Sequence, residues 1–271
     1  MNSAIINGEL LAEDKAVLLS HDLALQRGYA AFDYFRTVNN RPLFLPDYLE
    51  RFYASAKEMD ISMPYATSEM NEQIEALMST NKLPFSGIRL IATGGYSPDS
   101  YQPVTANVII QQQPLSMPSP EKFMQGVTVM TYPYQRDLPT VKSINYLMGI
   151  WLQKKLKVGG YDDVLYYKDE YVSEFPRANV FMVTHDGLLV TPGNNILCGI
   201  TRKKIIEMAP AILPLQSRPV SLTELKNAAE VFMTSTTKRI LPVTSIDGAP
   251  VGNGAVGKFT NLLNEAFLKL E

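Results

Sequence analysis

The sequence is poor in the residues that form disulfides and zinc sites. It contains one cysteine, Cys198, and two histidines, His21 and His185, among 271 residues. One cysteine closes no intramolecular disulfide, and three such side chains are too few for a tetrahedral zinc site. We therefore expect a reduced protein of the cytoplasm that requires no metal.

The sequence also has no excess of positive charge and no long apolar run. The chain has 25 Lys and Arg against 27 Asp and Glu, a formal net charge of −2. This balance leaves no general positive charge for the phosphate backbone of a nucleic acid. No apolar stretch approaches the roughly 18 residues of a membrane helix, and the first residues lack the basic region of a secretory signal. We expect no nucleic-acid partner and no membrane insertion, so that a phosphate would bind only at a local site.

Length and composition favour a globular α/β protein. The 271 residues, 46% of them hydrophobic, suit one large domain or two ordinary ones. The clearest change of composition lies between Gln111 and Pro120, where amides and three prolines interrupt the apolar pattern. We predict an N-terminal α/β domain over residues 1–113, a linker over 114–120 and a C-terminal domain over 121–271.

Local patterns predict helices and strands on both sides of this linker. Apolar residues at three-to-four spacing after a first-turn proline predict a helix over residues 46–60. A second helix is predicted over 69–78, and residues 87–93 and 106–112 are expected to pair as antiparallel strands. In the second part, strands are predicted over 127–132, 164–167, 180–183, 231–234 and 240–246, and helices over 146–157, 202–208 and 257–270.

A glycine-rich run near the end of the chain matches part of a nucleotide-binding loop. Residues 252–258 read Gly-Asn-Gly-Ala-Val-Gly-Lys. A Walker A loop needs Ser or Thr after the lysine, where this chain has Phe259, and the thirteen residues that follow are too few for a βαβ unit. We predict a glycine-rich turn that leads into a C-terminal helix.

Lys142 is the only charged residue from Leu138 to Gln153. A lysine in apolar surroundings is expected to be buried, which favours the neutral amine. A neutral amine is a nucleophile that can form a Schiff base with a carbonyl compound. The alternative is a side chain that extends its ammonium group to solvent.

Two other segments have the composition of anion sites. Thr201 is predicted as the N-cap of a helix that begins with Arg202, Lys203 and Lys204, which suits either a phosphate site or a solvated basic turn. The four hydroxyl residues 234–237 supply either a second phosphate contact or a Ser/Thr turn.

Arg51 and Glu174 are further candidates for charged ligand contacts. Arg51 has the fork geometry that suits a phosphate, although an i,i+4 pair with Asp47 is also open to it. Glu174, at the entry to an apolar strand, either pairs with Arg177 or holds a proton on a heterocyclic nitrogen.

Together, these segments resemble the class IV (fold type IV) pyridoxal-phosphate aminotransferases. That family includes D-amino-acid aminotransferase, branched-chain aminotransferase and aminodeoxychorismate lyase, and the D-amino-acid branch is the most similar. The resemblance covers almost the whole chain. It rests on residues 27–33, 48–51, 142–146, 173–181, 199–202, 230–237 and 246–248.

The resemblance implies a two-domain α/β fold with a small N-terminal domain and a larger, barrel-like C-terminal domain. It implies a homodimeric transaminase that uses pyridoxal 5′-phosphate, with the cofactor in the cleft between the domains, and that moves an amino group from an amino acid to a 2-oxo acid. A lyase of the aminodeoxychorismate type is the alternative within the family. A noncatalytic protein that keeps the fold is the alternative outside it.

The family also implies roles for individual residues. Lys142 would form the Schiff base and transfer the proton, and Glu174 would pair with the pyridinium nitrogen. Tyr146 would contact the phenolic oxygen of the cofactor. The phosphate would be bound by Arg51, Ile200, Thr201 and Thr236, with Ser235 close by.

The residues that would bind substrate depart from the family pattern. Phe32 is expected to line the substrate pocket, with Tyr101 near it. Asp99 stands in a stretch where D-amino-acid aminotransferases carry an arginine and a histidine, and it would repel a substrate carboxylate. Arg177 or Arg36 is a candidate to supply the replacement cation, and the backbone amides of residues 234–237 are another candidate.

Overall fold

The chain folds as two compact units, each built around its own β-sheet. The computed structural model describes residues 2–271. The first unit takes in residues 2–116 together with Val141–Asn145, and the second comprises Met117–Thr140 and Tyr146–Glu271. The division after Ser116 falls within the predicted linker. In contrast to the predicted domains, the segment that carries Lys142 belongs to the first unit, because it pairs with a strand of that unit's sheet.

The first unit contains an antiparallel sheet and three α-helices within the described residues. The helices are α1 (Leu23–Arg27), α2 (Leu45–Glu58) and α3 (Thr67–Asn81). The strands are β1 (Ser3–Ile6), β2 (Glu9–Ala12), β3 (Ala30–Val38), β4 (Arg41–Pro42), β5 (Ser86–Thr93) and β6 (Val108–Pro114). They are arranged in the order β2-β1-β6-β5-β3-β4, with every neighbouring pair antiparallel.

Helix α2 contacts strand β3 and places several candidate residues. Leu49, Phe52 and Ala56 form its buried stripe, each at most 1% exposed. This three-to-four spacing is why the sequence predicts the helix, and the prediction is confirmed. The predicted second helix and the antiparallel pairing of β5 with β6 are confirmed as well.

The second unit contains a larger, mixed sheet. Its strands are β7 (Val127–Pro133), β8 (Asp163–Lys168), β9 (Tyr171–Val172), β10 (Asn179–Val183), β11 (Leu189–Thr191), β12 (Leu215–Ser217), β13 (Glu230–Ser235), β14 (Arg239–Ile246) and β15 (Ala249–Pro250). Their order is β12-β11-β10-β13-β14-β7-β8-β9, and β15 pairs with β14. Strand β7 is parallel to both of its neighbours, whereas β13 is antiparallel to both of its own. All five strands predicted for this part of the chain are confirmed.

The helices of the second unit are short. They are α4 (Pro120–Gln125), α5 (Leu147–Trp151), α6 (Gln153–Gly159), α7 (Ile200–Met208), α8 (Leu222–Lys226) and α9 (Lys258–Leu268). The single helix predicted over 146–157 is interrupted at Leu152, which keeps right-handed helical angles of φ −75° and ψ −10°. Within residues 2–271, no helix is both long enough and apolar enough to cross a membrane.

The glycine-rich run forms a turn that leads into α9, as predicted. The carboxylate of Glu230 binds the N–H groups at the start of this helix. Its oxygens accept hydrogen bonds from Phe259 N at 3.0 Å and from Thr260 N and Thr260 Oγ1, both at 2.7 Å. A Cβ at Gly257 would lie 1.9 Å from Glu230 Cδ, so only glycine fits. A carboxylate at this helix start repels phosphate, which agrees with the rejection of a nucleotide loop.

Candidate active site

Lys142 is held by its backbone between strand β3 and helix α2. Its carbonyl oxygen accepts a hydrogen bond from Phe32 N at 2.8 Å, and Ile144 N donates to Ala30 O at 3.0 Å. On the other side, the Lys142 N–H donates to the Ser55 hydroxyl of α2 at 3.1 Å. The hydroxyl is buried, since Ser55 is 2% exposed. The backbone at Lys142 is therefore fixed by both elements, and any movement of its amine belongs to the side chain.

The Lys142 side chain lies against an aromatic ring. Its Nζ is 4.4 Å from the centroid of Phe32. The sequence predicts a buried lysine, but Lys142 is only partly buried. The exposure of Lys142 therefore lies between the two alternatives, a buried amine and an ammonium group extended to solvent.

Arg51 forms a two-pronged ion pair with a buried aspartate. Its Nε donates to Asp33 Oδ2 at 2.9 Å and its Nη2 to Asp33 Oδ1 at 2.7 Å. The Asp33 side chain is fully buried and that of Arg51 is 12% exposed. The guanidinium carbon also lies 5.3 Å from the centroid of the Tyr48 ring. The sequence offered Asp47 as an ionic partner, whereas this pair joins α2 to β3.

Glu174 is a buried carboxylate with a partner that the sequence analysis did not identify. It is 4% exposed. Arg136 Nε donates to Glu174 Oε1 at 2.8 Å, and Leu197 N donates to Glu174 Oε2 at 3.0 Å. The sequence also offers Arg177 as a partner, but Arg177 is exposed and the observed ion pair is with Arg136.

The start of helix α7 is buried and closely packed. Gly199, rather than the predicted Thr201, is the N-cap residue. A Cβ at Gly199 would lie 2.1 Å from Asn179 Oδ1, so a larger residue does not fit. Ile200 and Thr201 form the beginning of the first turn, and each is 5% exposed. Backbone N–H groups in the first turn of a helix, with its dipole, suit an anion.

The basic residues after Thr201 are not simply a solvated turn. Arg202 is 8% exposed. Its Nη2 donates to Pro192 O at 2.9 Å and to Ser217 Oγ at 3.0 Å. Burial lowers the pKa of this guanidinium from its ordinary value. Arg202 therefore serves the packing of α7, whereas Lys204 forms a surface pair with Glu207 at 3.1 Å.

The hydroxyl residues at the end of β13 have different environments. Ser235 Oγ accepts a hydrogen bond from Lys238 N at 3.2 Å, as in a Ser/Thr turn. Thr234 is 1% exposed, and its Oγ1 has no hydrogen-bond partner within residues 2–271. Thr234 is paired with Asn179 across β13 and β10, and paired residues share one face of a sheet. Asn179 packs against Gly199, so the Thr234 hydroxyl lies on the face that carries the start of α7.

Comparison with known proteins identifies the family. The family model described as amino-transferase class IV matches residues 30–246, which include every candidate cofactor residue. The chain belongs to the class IV aminotransferase family.

Class IV relatives match this chain over nearly its whole length. D-alanine aminotransferase from Bacillus licheniformis is 30% identical over 268 residues, which cover 97% of this chain and 94% of the relative. The structure of a branched-chain amino acid aminotransferase from Escherichia coli is 28% identical, with a TM-score of 0.93 and coverage of 99% and 94%. A second branched-chain enzyme, from T.th. and with pyridoxamine 5′-phosphate, is 26% identical, with a TM-score of 0.91 and coverage of 99% and 93%. These matches confirm the predicted class IV, fold type IV architecture.

The predicted class IV cofactor residues are divided between the two units. The first unit contributes Arg51 and Lys142. Tyr146 directly precedes helix α5 and is partly buried. The second unit contributes Tyr146, Glu174, Ile200, Thr201, Ser235 and Thr236.

The predicted substrate residues of this class IV chain differ in their contacts and in their exposure to solvent. Phe32 lies beside the Lys142 amine, but Tyr101 is 81% exposed. Asp99 has a role within its own loop, because its Oδ1 accepts hydrogen bonds from Tyr101 N, Gln102 N and Ser97 Oγ at 2.8–3.0 Å. The bonds from Gln102, Ser97 and Tyr101 hold the pKa of Asp99 below its usual value. Asp99 therefore shapes the loop as a carboxylate, whatever its effect on substrate.

Asp33, Ser55 and Arg136 were not predicted from the sequence. Asp33 lies within one of the segments that carry the class IV resemblance, but nothing in the sequence indicates that it pairs with Arg51. Ser55 is one turn after Arg51 on α2, a spacing that places both on one face of the helix. Arg136 precedes Lys142 in a segment without clear periodicity, and no local signal connects it with Glu174.

Proposed function

We propose that the chain is a pyridoxal-phosphate aminotransferase that moves an amino group from an amino acid to a 2-oxo acid. Membership of the class IV family supports this function. The relatives described above are named D-alanine and branched-chain amino acid aminotransferases, and one was solved with pyridoxamine 5′-phosphate.

The observation that carries the proposal is the setting of Lys142. Its backbone is bonded to β3 and α2 while its amine reaches past Phe32. A lysine that only covered apolar surface would need no such fixed backbone. A fixed backbone with a movable amine suits a group that repeatedly transfers a proton between two atoms.

The residues present fit the chemical groups of pyridoxal phosphate. Lys142 offers an amine for the aldehyde, and the carboxylate of Glu174 suits a protonated ring nitrogen. The start of α7 and the guanidinium of Arg51 suit the phosphate. The Thr234 hydroxyl, buried without a partner in the described chain, is the kind of group that a bound ligand satisfies.

When bound, pyridoxal phosphate supplies an electrophilic carbon and an electron-withdrawing ring, which stabilise negative charge at the substrate Cα. In our proposal Lys142 Nζ takes the proton from the substrate Cα as a base and delivers it to C4′ of the cofactor as an acid. Glu174 stays ionised and favours a positively charged ring nitrogen. Arg51, Ile200, Thr201 and Thr236 anchor the phosphate, with Ser235 beside them, so that the Lys142 amine meets the reacting atoms at a constant distance.

Other contacts remain part of the proposal. Tyr146 would donate to or accept from the phenolic oxygen, and Phe32 would line the substrate pocket. Arg177, Arg36 and the amides of residues 234–237 are candidates for the substrate carboxylate, and Tyr101 for a contact at the outer rim.

We also propose a cytoplasmic homodimer. Helix α5 supports an interface because three large apolar side chains project from it. Leu147 is 75% exposed, Ile150 is 69% exposed and Trp151 is 64% exposed. Exposed apolar patches of this kind often mark interfaces. Sedimentation of the purified protein checks the dimer, and a monomer at micromolar concentration would contradict it.

The central experiment measures cofactor attachment and amino transfer together. Protein purified with pyridoxal phosphate should be yellow, and borohydride should bleach the colour and leave a pyridoxyl group on Lys142, located by peptide mass spectrometry. A panel of D- and L-amino acids, with pyruvate or 2-oxoglutarate as acceptor, should contain at least one donor that yields its 2-oxo acid. D-alanine and the branched-chain L-amino acids test the two donor classes named by the relatives.

The Lys142→Ala variant should lose turnover to the background rate, because no other side chain takes over its proton transfer. Lys157→Ala is the matched control, since Lys157 is an exposed lysine on α6 and should leave turnover unchanged. A colourless protein that binds no pyridoxal phosphate would overturn the proposal. Pyruvate released without any acceptor would instead indicate a lyase.

A further inference from the structure

Arg136 binds Glu174 on one side and the backbone of its own segment on the other. Its Nε donates to Glu174 Oε1 at 2.8 Å and its Nη2 donates to Pro139 O at 2.6 Å. The Arg136 side chain is 11% exposed and that of Glu174 is 6% exposed. Since both charges are almost buried, their mutual attraction is weakly screened by water. The carbonyl of Pro139 fixes the guanidinium, so it cannot swing away from the carboxylate.

The second oxygen of Glu174 is fixed independently. Leu197 N donates to Glu174 Oε2 at 3.0 Å, and Leu197 O accepts from Asn179 Nδ2 at 2.8 Å. The Glu174 backbone is held as well, because Tyr166 N donates to Glu174 O at 2.9 Å. Because both oxygens accept hydrogen bonds, the plane of the carboxylate has a defined orientation.

These contacts have two chemical consequences. A guanidinium beside a carboxyl group favours its ionised form, and removing the guanidinium leaves a buried charge that tends to take up a proton. Each carboxylate oxygen can accept more than one hydrogen bond, so these contacts are compatible with a further donor from a ligand. An ionised, oriented carboxylate that can accept another donor is what a protonated ring nitrogen requires.

We propose that Arg136 is a positioning residue that keeps Glu174 ionised and oriented towards the ring nitrogen of the cofactor. This inference rests on the proposed pyridoxal-phosphate function. It adds that the charge state of the ring depends on a residue that acts through Glu174. The competing account is structural: Arg136 would only connect residues 136–139 to the segment that precedes strand β10.

A double-mutant cycle separates the two accounts. The variants are Arg136→Gln, Glu174→Gln and the double variant, each studied as the pyridoxal-phosphate holoenzyme. Arg136→Gln should lower kcat/KM about tenfold or more when Glu174 is present, but less than about threefold when Glu174 is already Gln, because coupled residues are not additive.

A second readout reports on the ring directly. The ¹⁵N chemical shift of cofactor labelled at the ring nitrogen should show a protonated ring in the wild-type holoenzyme. It should move towards the neutral value in Arg136→Gln and in Glu174→Gln, with no further movement in the double variant. Arg136→Lys keeps the charge and should retain most of the protonated signal, although it loses the fork geometry.

Arg218→Gln is the matched control. Arg218 also pairs with a carboxylate of the second unit, Glu224, but both side chains are about one-third exposed. It should change neither the ¹⁵N shift nor kcat/KM. If Arg136→Gln fails to fold, Arg136→Met, which removes the charge but keeps a long side chain, carries the test through the same two readouts.

Two results would overturn the inference. One is a ring nitrogen that stays protonated in Arg136→Gln, and the other is a loss of kcat/KM that is equally large with Glu174 and with Gln at position 174. Both presuppose a wild-type protein that binds the cofactor and transfers amino groups. A wild-type protein that does neither refutes the proposed function instead, so the two failures are distinguishable.

Discussion

Asp33 is a fully buried carboxylate that holds the Arg51 guanidinium by two bonds. The arrangement fixes the direction of the guanidinium. If Arg51 binds the phosphate as proposed, the ion pair also removes part of the entropy that a flexible arginine would lose on binding. It also keeps a charged residue in the interior of a sheet, where an unpaired carboxylate would be costly.

Replacing Asp33 with Asn should lower the free energy of unfolding by about 3 kcal/mol, because the Arg51 charge is left nearly buried without its partner. Urea unfolding followed by circular dichroism measures the loss. Glu224→Gln is the comparison, since the partly exposed Arg218–Glu224 pair should contribute about 1 kcal/mol or less. Equal losses in the two variants would contradict the role given to burial.

At the scale of single residues, the sequence predicts those that stand out from their neighbours. Lys142 is isolated among apolar residues, and Glu174 precedes an apolar strand. Their partners are not predictable in this way. Arg136 and Glu174 are separated by 38 positions, and Arg51 and Asp33 by 18. Such ion pairs are decided by the fold and not by local spacing.

Arg51 and Ser55 lie one turn apart on helix α2. The same helix therefore positions the Arg51 guanidinium and binds the backbone of Lys142. Removing the Ser55 hydroxyl should leave the Lys142 N–H without its acceptor. The segment that carries Lys142 would then lose its hydrogen bond to α2 but keep those to β3.

Ser55→Ala should reduce kcat about tenfold, since small displacements of a reacting group have large effects on rate. Ser86→Ala is the matched control. Ser86 is also a buried hydroxyl of the first unit, 2.8 Å from Thr37 Oγ1, and it has no bond to the lysine segment. Both variants should lose about 1 kcal/mol of stability, but only Ser55→Ala should lose activity. Similar activity in the two would refute the positioning role of Ser55.

The turn after β14 should make the stability of the second unit depend on pH. Asp247 accepts hydrogen bonds from Thr131 N and Thr131 Oγ1, both at 2.7 Å, and pairs with Lys226 at 2.7 Å. Burial raises the pKa of Asp247, but the bonds from Lys226 and Thr131 outweigh it, so the pKa lies below its ordinary value of 3.8. A depressed pKa stabilises the folded state above the unfolded value, and this stability is lost as the pH falls through the folded value.

Asp247→Asn should therefore be less stable than wild type near pH 7, by about 1 kcal/mol because the carboxylate is partly exposed. The difference should shrink below pH 4. Urea unfolding at several pH values measures it. Thr131→Val removes one donor and should show a smaller difference of the same sign. A difference that is constant with pH would exclude the ionic explanation.

At the scale of elements, periodicity identifies α2 and the β5–β6 pair but not β3. Strand β3 contains two buried charged residues, Asp33 and Arg36, which are 0% and 4% exposed. They interrupt the apolar pattern by which a central strand is usually predicted. The interruption at Leu152 between α5 and α6 was missed for the opposite reason. Its backbone angles remain helical, so no residue marks it.

At the scale of the whole molecule, the match to class IV structures covers 99% of the chain, although sequence identity is below 30%. The overall fold was predictable because the family motifs occur in order along the chain. The substrate was not predictable, because the loop shaped by Asp99 departs from the pattern of the D-amino-acid aminotransferases that the chain resembles. Loops vary more than the elements that they connect.

Binding of the cofactor should raise the thermal stability of the complete chain. Ligand at one hundred times its dissociation constant stabilises the folded state by about 2.7 kcal/mol, which corresponds to a rise in Tm of roughly 5–10 °C for a protein of this size. Differential scanning calorimetry measures the shift. Pyridoxal without its phosphate should give a smaller one, and a chain whose Tm responds equally to both would contradict the phosphate contacts.

Cys198 provides a way to observe the start of α7 directly. It is exposed, it is the only cysteine in the sequence, and it directly precedes the N-cap residue Gly199. A thiol-reactive fluorophore would therefore label the natural chain at one position, without a cysteine-free background. The dye would lie two residues before Ile200, whose amide is proposed to bind the phosphate. Its emission can be followed as phosphate, pyridoxal phosphate or an amino donor is added. Ligand binding at the start of α7 can thus be measured by fluorescence without any change to the amino-acid sequence.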